Sequence, residues 1–176
     1  MFKSFHSRDV ALFVFAYKTY ILPILDYNSP IWSPYKLYDI DKLEDVQRFY
    51  TKRLKGLWYL SYKQRLVACN LVSLELRRLI SDIVLCYKIV NNLIALVFTD
   101  FFEFDRNNRT RGHKFKLKIS RCATSTRSHF FAVRIVPVWN ALPNDIVSCG
   151  SVLILKKLLL GINLSKFLCR NHDVFN

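Results

Sequence analysis

The sequence predicts a mainly α protein, a helical bundle followed by a small basic α+β appendage. Three observations lead there. Apolar residues recur at helical spacing through most of the first hundred positions, Gly and Pro are scarce at 4 and 5 of 176 residues, and the composition turns basic after Asp105. With 52% hydrophobic and 15% aromatic residues the chain can form a packed core, which excludes disorder, collagen-like repeats or flexible linkers as a description of the whole. There is no internal repeat or low-complexity segment. The length suits one domain, or one with an appendage, at roughly 100 to 200 residues per domain. The expected division is residues 1–100 as the helical region and 101–176 as the basic extension, with a short strand pair and terminal helices.

The elements follow in order. Asp9 to Leu25 reads as one apolar helix broken at Pro23, and Asp26-Tyr27-Asn28-Ser29-Pro30 as a turn. A connector through Trp32, Pro34 and Tyr35 leads to a helix from Asp39. In it Ile40, Leu43, Val46, Phe49, Tyr50 and Leu54 share a stripe, acids occupy the first turns, and Lys52, Arg53 and Lys55 the last, before Gly56. Ser61 and Gln64 have capping-box spacing and open a short helix. Ser73 caps the longest helix, to about Leu93, with Leu76, Leu79, Ile80, Ile83, Val84, Tyr87 and Val90 as its apolar stripe. Further on, Lys114-Phe115-Lys116-Leu117-Lys118-Ile119 alternates strictly, predicting a strand with three lysines on one face. Phe130, Phe131, Val138, Trp139, Leu142 and Pro143 anchor a second packing unit, and Ser151 opens a last helix through Leu160.

Charge narrows the partner. Against 13 Asp and Glu stand 27 Lys and Arg, a formal net charge of +14. Nine of the bases lie between Arg106 and Arg134, a stretch without one acid. Five cysteines, odd in number and widely spaced, do not form a disulfide pattern and point to a reducing, intracellular compartment. Lys18, Lys88, Asn91 and Asn92 interrupt the apolar runs before they reach the length of a membrane span. Lys3 and Arg8 ahead of Val10 to Ala16 imitate a signal peptide, but Tyr17-Lys18-Thr19 follows where a small-residue cleavage site belongs.

Catalytic constellations are missing from the sequence: no Gly-rich phosphate loop, no Gly-x-Ser-x-Gly and no His pair at metal-ligand spacing. Cys169 and His172 make half a zinc site without the other half. Asp39 and Asp41 diverge on a helix and read as N-terminal charge. No metal site, cofactor or small-molecule substrate is therefore assigned to this chain. His113 is read either as a phosphate or base contact or as a solvated loop residue. Tyr17, Tyr20, Phe49, Tyr50, Tyr59, Tyr62 and Tyr87 are read mostly as core. What remains is nucleic-acid binding by two basic clusters: Lys52, Arg53 and Lys55, and then Arg111, Lys114, Lys116, Lys118, Arg121 and Arg127. Each phosphate contact releases condensed counterions and needs no sequence-specific geometry. The bland alternative is a solvated basic face, or an edge strand protected by lysine.

Several segments, taken in order, resemble a known family. They are Tyr17-Lys18-Thr19-Tyr20-Ile21-Leu22-Pro23-Ile24-Leu25-Asp26-Tyr27, Ser29-Pro30-Ile31-Trp32-Ser33-Pro34, Leu43-Glu44-Asp45-Val46-Gln47-Arg48 with Thr51-Lys52-Arg53, and Leu71-Val72-Ser73-Leu74-Glu75-Leu76-Arg77-Arg78. Thr110-Arg111-Gly112-His113, Arg127 with Phe130-Phe131, Arg134 and Trp139-Asn140-Ala141-Leu142-Pro143 continue the series. Together they resemble the part of a LINE-type, jockey-like non-LTR retrotransposon polyprotein that follows the reverse-transcriptase palm. The resemblance runs from about Ala16 to about Leu160.

It implies that residues 1–100 are thumb-like, a helical element beside the primer and template duplex. The implied partners are an RNA template or RNA/DNA hybrid, and a palm-containing reverse-transcriptase chain, in a nuclear or cytoplasmic ribonucleoprotein. Lys52, Arg53, Arg111 and Arg127 are the cluster residues that the resemblance also supports. Polymerase chemistry in that family needs palm carboxylates holding two divalent metal ions, in a Tyr/Phe-x-Asp-Asp turn. This chain has no adjacent Asp pair. The expectation is thus a fragment lacking fingers and palm, beginning at an internal Met1 of a degenerate or partial copy, without polymerase activity. Its first helices would present an apolar face that a palm normally covers. The competing expectations are a helical protein-interaction module, a peripheral binder of anionic lipid, and a translated remnant without selected function.

Overall fold

A computed structural model describes residues 9–105 and 112–170, which are mainly helical. It forms two compact units, Met1–Arg78 with Leu164–Asn176 and Leu79–Asn163, so the division falls at Arg78 and Leu164 and not at residue 100.

The first unit contains α1 (Val10–Ala16), a π-helical turn Tyr17–Ile21, α2 (Leu22–Asp26), α3 (Ser29–Trp32), α4 (Leu37–Lys52), α5 (Tyr62–Ala68), the start of α6 (Leu74–Val90) and a 3-10 turn Ser165–Phe167. The Asp9 carboxylate caps α1 by accepting from the Ala11 and Leu12 amides. Pro23 does not break the helix outright. It carries no N–H, so the ladder ahead of it shifts to wider spacing: the Leu22 amide bonds the Tyr17 carbonyl, five residues back. Asn28, at φ +52°, turns the chain from α2 into α3.

Phe13, Tyr17, Leu22, Tyr50, Leu54, Leu66, Leu71 and Leu74 pack as the apolar core of this unit. Beside that core the inner face of α4 carries two polar side chains, Glu44 and Gln47, both fully buried. Their burial is tolerable only because each polar atom is matched. Tyr17 Oη donates to Gln47 Oε1 at 2.9 Å, and Gln47 Nε2 donates to Tyr62 Oη at 3.0 Å and to the Val72 carbonyl at 2.9 Å. Tyr62 Oη in turn donates to Glu44 Oε1. Burial and the Glu44 carboxylate raise both phenols well above their ordinary pKa, which keeps them hydrogen-bond donors. The same carboxylate accepts the Leu74 amide, at 3.0 Å to Oε2, so it caps the α6 N-terminus from another helix. Ser73 Oγ accepts the Leu76 amide at 3.1 Å.

The surrounding ion pairs tie distant segments together. Arg77 grips Asp26 through Nε and Nη2. Glu75 accepts the backbone amides of Cys169 and Arg170, and Arg170 reaches Asp41 at 2.6 Å, so residues 164–170 belong to the first unit. Asp41 also bonds Arg48, and these two guanidinium partners hold its carboxyl below the usual carboxylate range.

The second unit contains the rest of α6, α7 (Phe98–Phe101), α8 (Ser125–Ser128), α9 (Phe131–Asn140), α10 (Asn144–Val147) and α11 (Val152–Leu160). Its core is built on Ile83, Cys86, Ile89, Phe102, Phe131, Ile135, Trp139, Leu142, Ile146, Leu155 and Leu159. Arg134 forks onto Asp82 at 2.9 and 3.0 Å and donates to the His129 carbonyl, joining α9 to α6.

The expected strand pair does not form. Among the described residues the alternating Lys114–Ile119 segment makes a single antiparallel bridge, Phe104 to Leu117. The end of α9 occupies one edge of this segment. Trp139 Nε1 donates to the Phe115 carbonyl, while the Asn140 amide both accepts the Leu117 N–H at 2.8 Å and donates to its carbonyl at 2.7 Å. Residues 103–105 take the other edge, with Asp105 N–H donating to the Lys116 carbonyl at 2.9 Å and Lys118 N–H to the Glu103 carbonyl at 2.8 Å, so pairing stops at one bridge and side chains fill the edge where a further strand would have paired. Neither expectation for His113 holds, because the ring is buried: it lies edge-on to Trp139 with Nε2 donating to the Trp139 carbonyl at 3.0 Å.

Two substitutions test these supports. Glu44→Ala leaves the Leu74 amide and Tyr62 hydroxyl without their shared acceptor and should cost about 2–5 kcal/mol in chemical unfolding. Asn140→Ala should cost about 1–3 kcal/mol and speed amide exchange at Leu117 ahead of the α9 amides.

Candidate nucleic-acid interface

The first basic cluster sits where α4 gives way to a tight turn. The chain between α4 and α5 folds through successive turns, with Leu57 N bonded to the Leu54 carbonyl and Leu60 N to the Leu57 carbonyl. Gly56 adopts φ +77°, a conformation that costs other residues steric strain. Leu54 is buried beneath and holds the turn down. Arg65 of α5 braces the turn from inside: Nε donates to Thr51 Oγ1 at 3.2 Å, and Nη1 to the Leu60 carbonyl at 2.6 Å. Thr51 Oγ1 itself donates to the Gln47 carbonyl, joining this brace to the Glu44 and Gln47 network.

Lys52, Arg53 and Lys55 all project from this turn as exposed side chains, and no salt bridge holds any of them among the described residues. Arg53 lies over the Phe49 ring at 3.6 Å, one helical turn back, which orients its guanidinium. Arg65 is buried and likewise has no carboxylate partner among the described residues. Between Asp45 and Glu75 the sequence contains six bases and not one acid, a second acid-free stretch that is less dense in charge than the one after Asp105 and for that reason does not stand out by composition.

The second cluster is thinner than its composition suggests. Arg111, like Arg106 and Arg109, lies outside the described residues. Lys114, Arg121 and Arg127 are exposed and in no salt bridge among the described residues; Lys114 rests on Phe115 and Arg127 on Phe130. Lys118 is exposed but pairs with Glu103 at 2.8 Å. Lys116 is half-buried and its side chain lies close over Gly112, where an added Cβ would meet Lys116 Cε at 2.5 Å. The three lysines therefore do not share one open face, because the segment is not a strand.

The aromatic expectation also divides. Tyr17, Tyr50 and Tyr87 are core and Tyr62 is half-buried, but Tyr20, Phe49 and Tyr59 are exposed. Trp58, absent from the aromatics that periodicity singles out, is 69% exposed beside Tyr59. The signal that could have found it is its place just after Gly56 in an acid-free turn, outside any helical stripe. A separate apolar exposure runs along the first helices through Phe15, Tyr20, Ile24, Tyr27 and Ile31.

Among the described residues no group of three or more His, Cys, Asp or Glu could hold a metal ion, and no helix is long and apolar enough to cross a membrane. The Cys169 and His172 pair cannot be placed, since His172 lies outside the described residues. All five cysteines are free. No protein-family model, curated protein or solved structure matches this chain.

Proposed function

We propose that this chain binds nucleic acid through the phosphate backbone, as a thumb-and-following fragment of a LINE-type, jockey-like reverse transcriptase without polymerase chemistry of its own. The observation that carries the reading is the set of exposed cations in acid-free stretches of the sequence, Lys52, Arg53 and Lys55 in one unit and Lys114, Arg121 and Arg127 in the other, with no salt bridge among the described residues. Counterion release makes such a surface attractive to any phosphate chain, with little dependence on base sequence. The resemblance supplies the class of ligand, an RNA/DNA hybrid of template and primer. Lys118 and Lys116 contribute less, since their side chains are engaged within the protein.

A second reading, a protein-interaction module that joins a palm-containing chain, is supported by the exposed row Phe15, Tyr20, Ile24, Tyr27 and Ile31. Sedimentation of the protein with and without a palm-containing reverse-transcriptase chain tests it, a joint boundary being the expected result and independent sedimentation the refuting one.

The primary reading is tested by equilibrium binding to a labelled RNA/DNA hybrid across salt. The expected log-log slope is about −4 or steeper, and Lys52→Ala, Arg53→Ala and Lys55→Ala together should flatten it by about 2 to 3 at ~0.9 per contact. A flat slope for the unmodified protein would sink the reading and leave a solvated basic surface.

A further inference from the structure

The turn between α4 and α5 holds more than charge. Phe49, Lys52, Arg53, Lys55, Trp58 and Tyr59 are all exposed within eleven residues, and the turn that presents them is fixed from beneath by buried Leu54 and Arg65. Trp58 and Tyr59 stand edge to face, with ring centroids 5.8 Å apart and planes at 84°. Large aromatic side chains at 69% and 67% exposure, a few residues from cations that form no salt bridge among the described residues, are poorly explained by folding, which gains nothing from leaving them in water.

An apolar protein partner would suit the aromatics but would have to desolvate Lys52, Arg53 and Lys55 without an anion. A duplex would suit the cations, but its bases are stacked inside and offer no free faces to an indole. An unpaired strand offers both, π-faces for the rings and a phosphate on every nucleotide for the bases. The spacing agrees: Lys55 and Trp58 are three residues apart, so their Cα atoms lie within about 10 Å, the reach of one or two nucleotides. Buried Arg65 adds positive charge under the same turn without a neutralising carboxylate among the described residues.

We propose that the α4–α5 turn is a stacking platform for unpaired nucleotides, with a base on the exposed face of Trp58, Tyr59 closing the edge, and Lys52, Arg53 and Lys55 on the adjoining phosphates. The inference rests on the nucleic-acid reading above and deepens it, because it separates single-stranded from paired ligand at one site. Arg65 is a positioning residue here, acting through the turn it braces.

The test uses the full chain and two labelled ligands of one sequence, a blunt RNA/DNA hybrid and the same hybrid with an eight-nucleotide single-stranded RNA extension. The extended ligand should bind about 10-fold more tightly, as stacking of one or two bases implies, and should quench tryptophan fluorescence. Trp58→Ala should bring it down to the blunt level and abolish the quench, with blunt binding and thermal midpoint unchanged. Trp58→Phe should keep part of the increment. Equal affinities for the two ligands, or an increment that survives Trp58→Ala, would overturn the platform while leaving the phosphate reading standing. Absence of binding to both ligands would overturn the phosphate reading and the platform with it.

Discussion

The buried carboxylate of Glu44 is the interaction on which the first unit depends. A fully buried anion is costly unless its environment answers it, and here the answer comes from two directions, the Tyr62 hydroxyl and the amide that opens α6. Gln47 extends the network one turn along α4 to Tyr17 and to the Val72 carbonyl. Three segments distant in sequence, around Tyr17, Tyr62 and residues 72–74, thereby take their registration from one face of α4. Thr51 and Arg65 carry the same order on to the turn at residues 53–60. A buried polar network of this kind discriminates between packings more sharply than an apolar core of equal volume, since a slipped helix would strand its donors.

The second unit meets a different constraint. The segment at 112–118 pairs with residues 103–105 along one edge only and has the backbone groups of its other edge to satisfy. Trp139 and Asn140, at the last turn of α9, bond this backbone directly. The buried ring of His113 closes the arrangement by bonding the Trp139 carbonyl. The Trp-Asn-Ala-Leu-Pro segment has in this a structural reason of its own, independent of any family resemblance: its first two side chains hold the basic segment in place.

Charge was the strongest functional signal in the sequence, and the fold redistributes it. Arg134 and Arg77 are taken up by Asp82 and Asp26, Arg48 and Arg170 by Asp41, and Lys118 by Glu103. What stays available is a smaller set of cations in each unit, and the turn between α4 and α5 adds aromatic faces to its share. Lysine and arginine side chains with no acid in reach keep their full field for a ligand, whereas paired ones are largely neutralised already.

By itself the sequence determined the mainly α class, the capping box at Ser61 and Gln64, the start of α6 at Ser73 and the acid-free stretches, because these depend on spacing along a few turns of chain. Helix ends differ from the periodicity by two or three residues: α4 begins at Leu37 and not at Asp39, and α6 ends at Val90 and not at Leu93. Tertiary structure alone decided that Lys114–Ile119 is no strand, that His113 is core, and that Phe49, Trp58 and Tyr59 face solvent while Tyr17 and Tyr50 do not. Periodicity identifies which residues share a face, but it carries no information about what packs against that face. Phe49 and Tyr50 are adjacent on α4, and only the position of α1, whose Phe13 carbonyl accepts the Tyr50 hydroxyl, makes one of them core and leaves the other at the surface beneath Arg53.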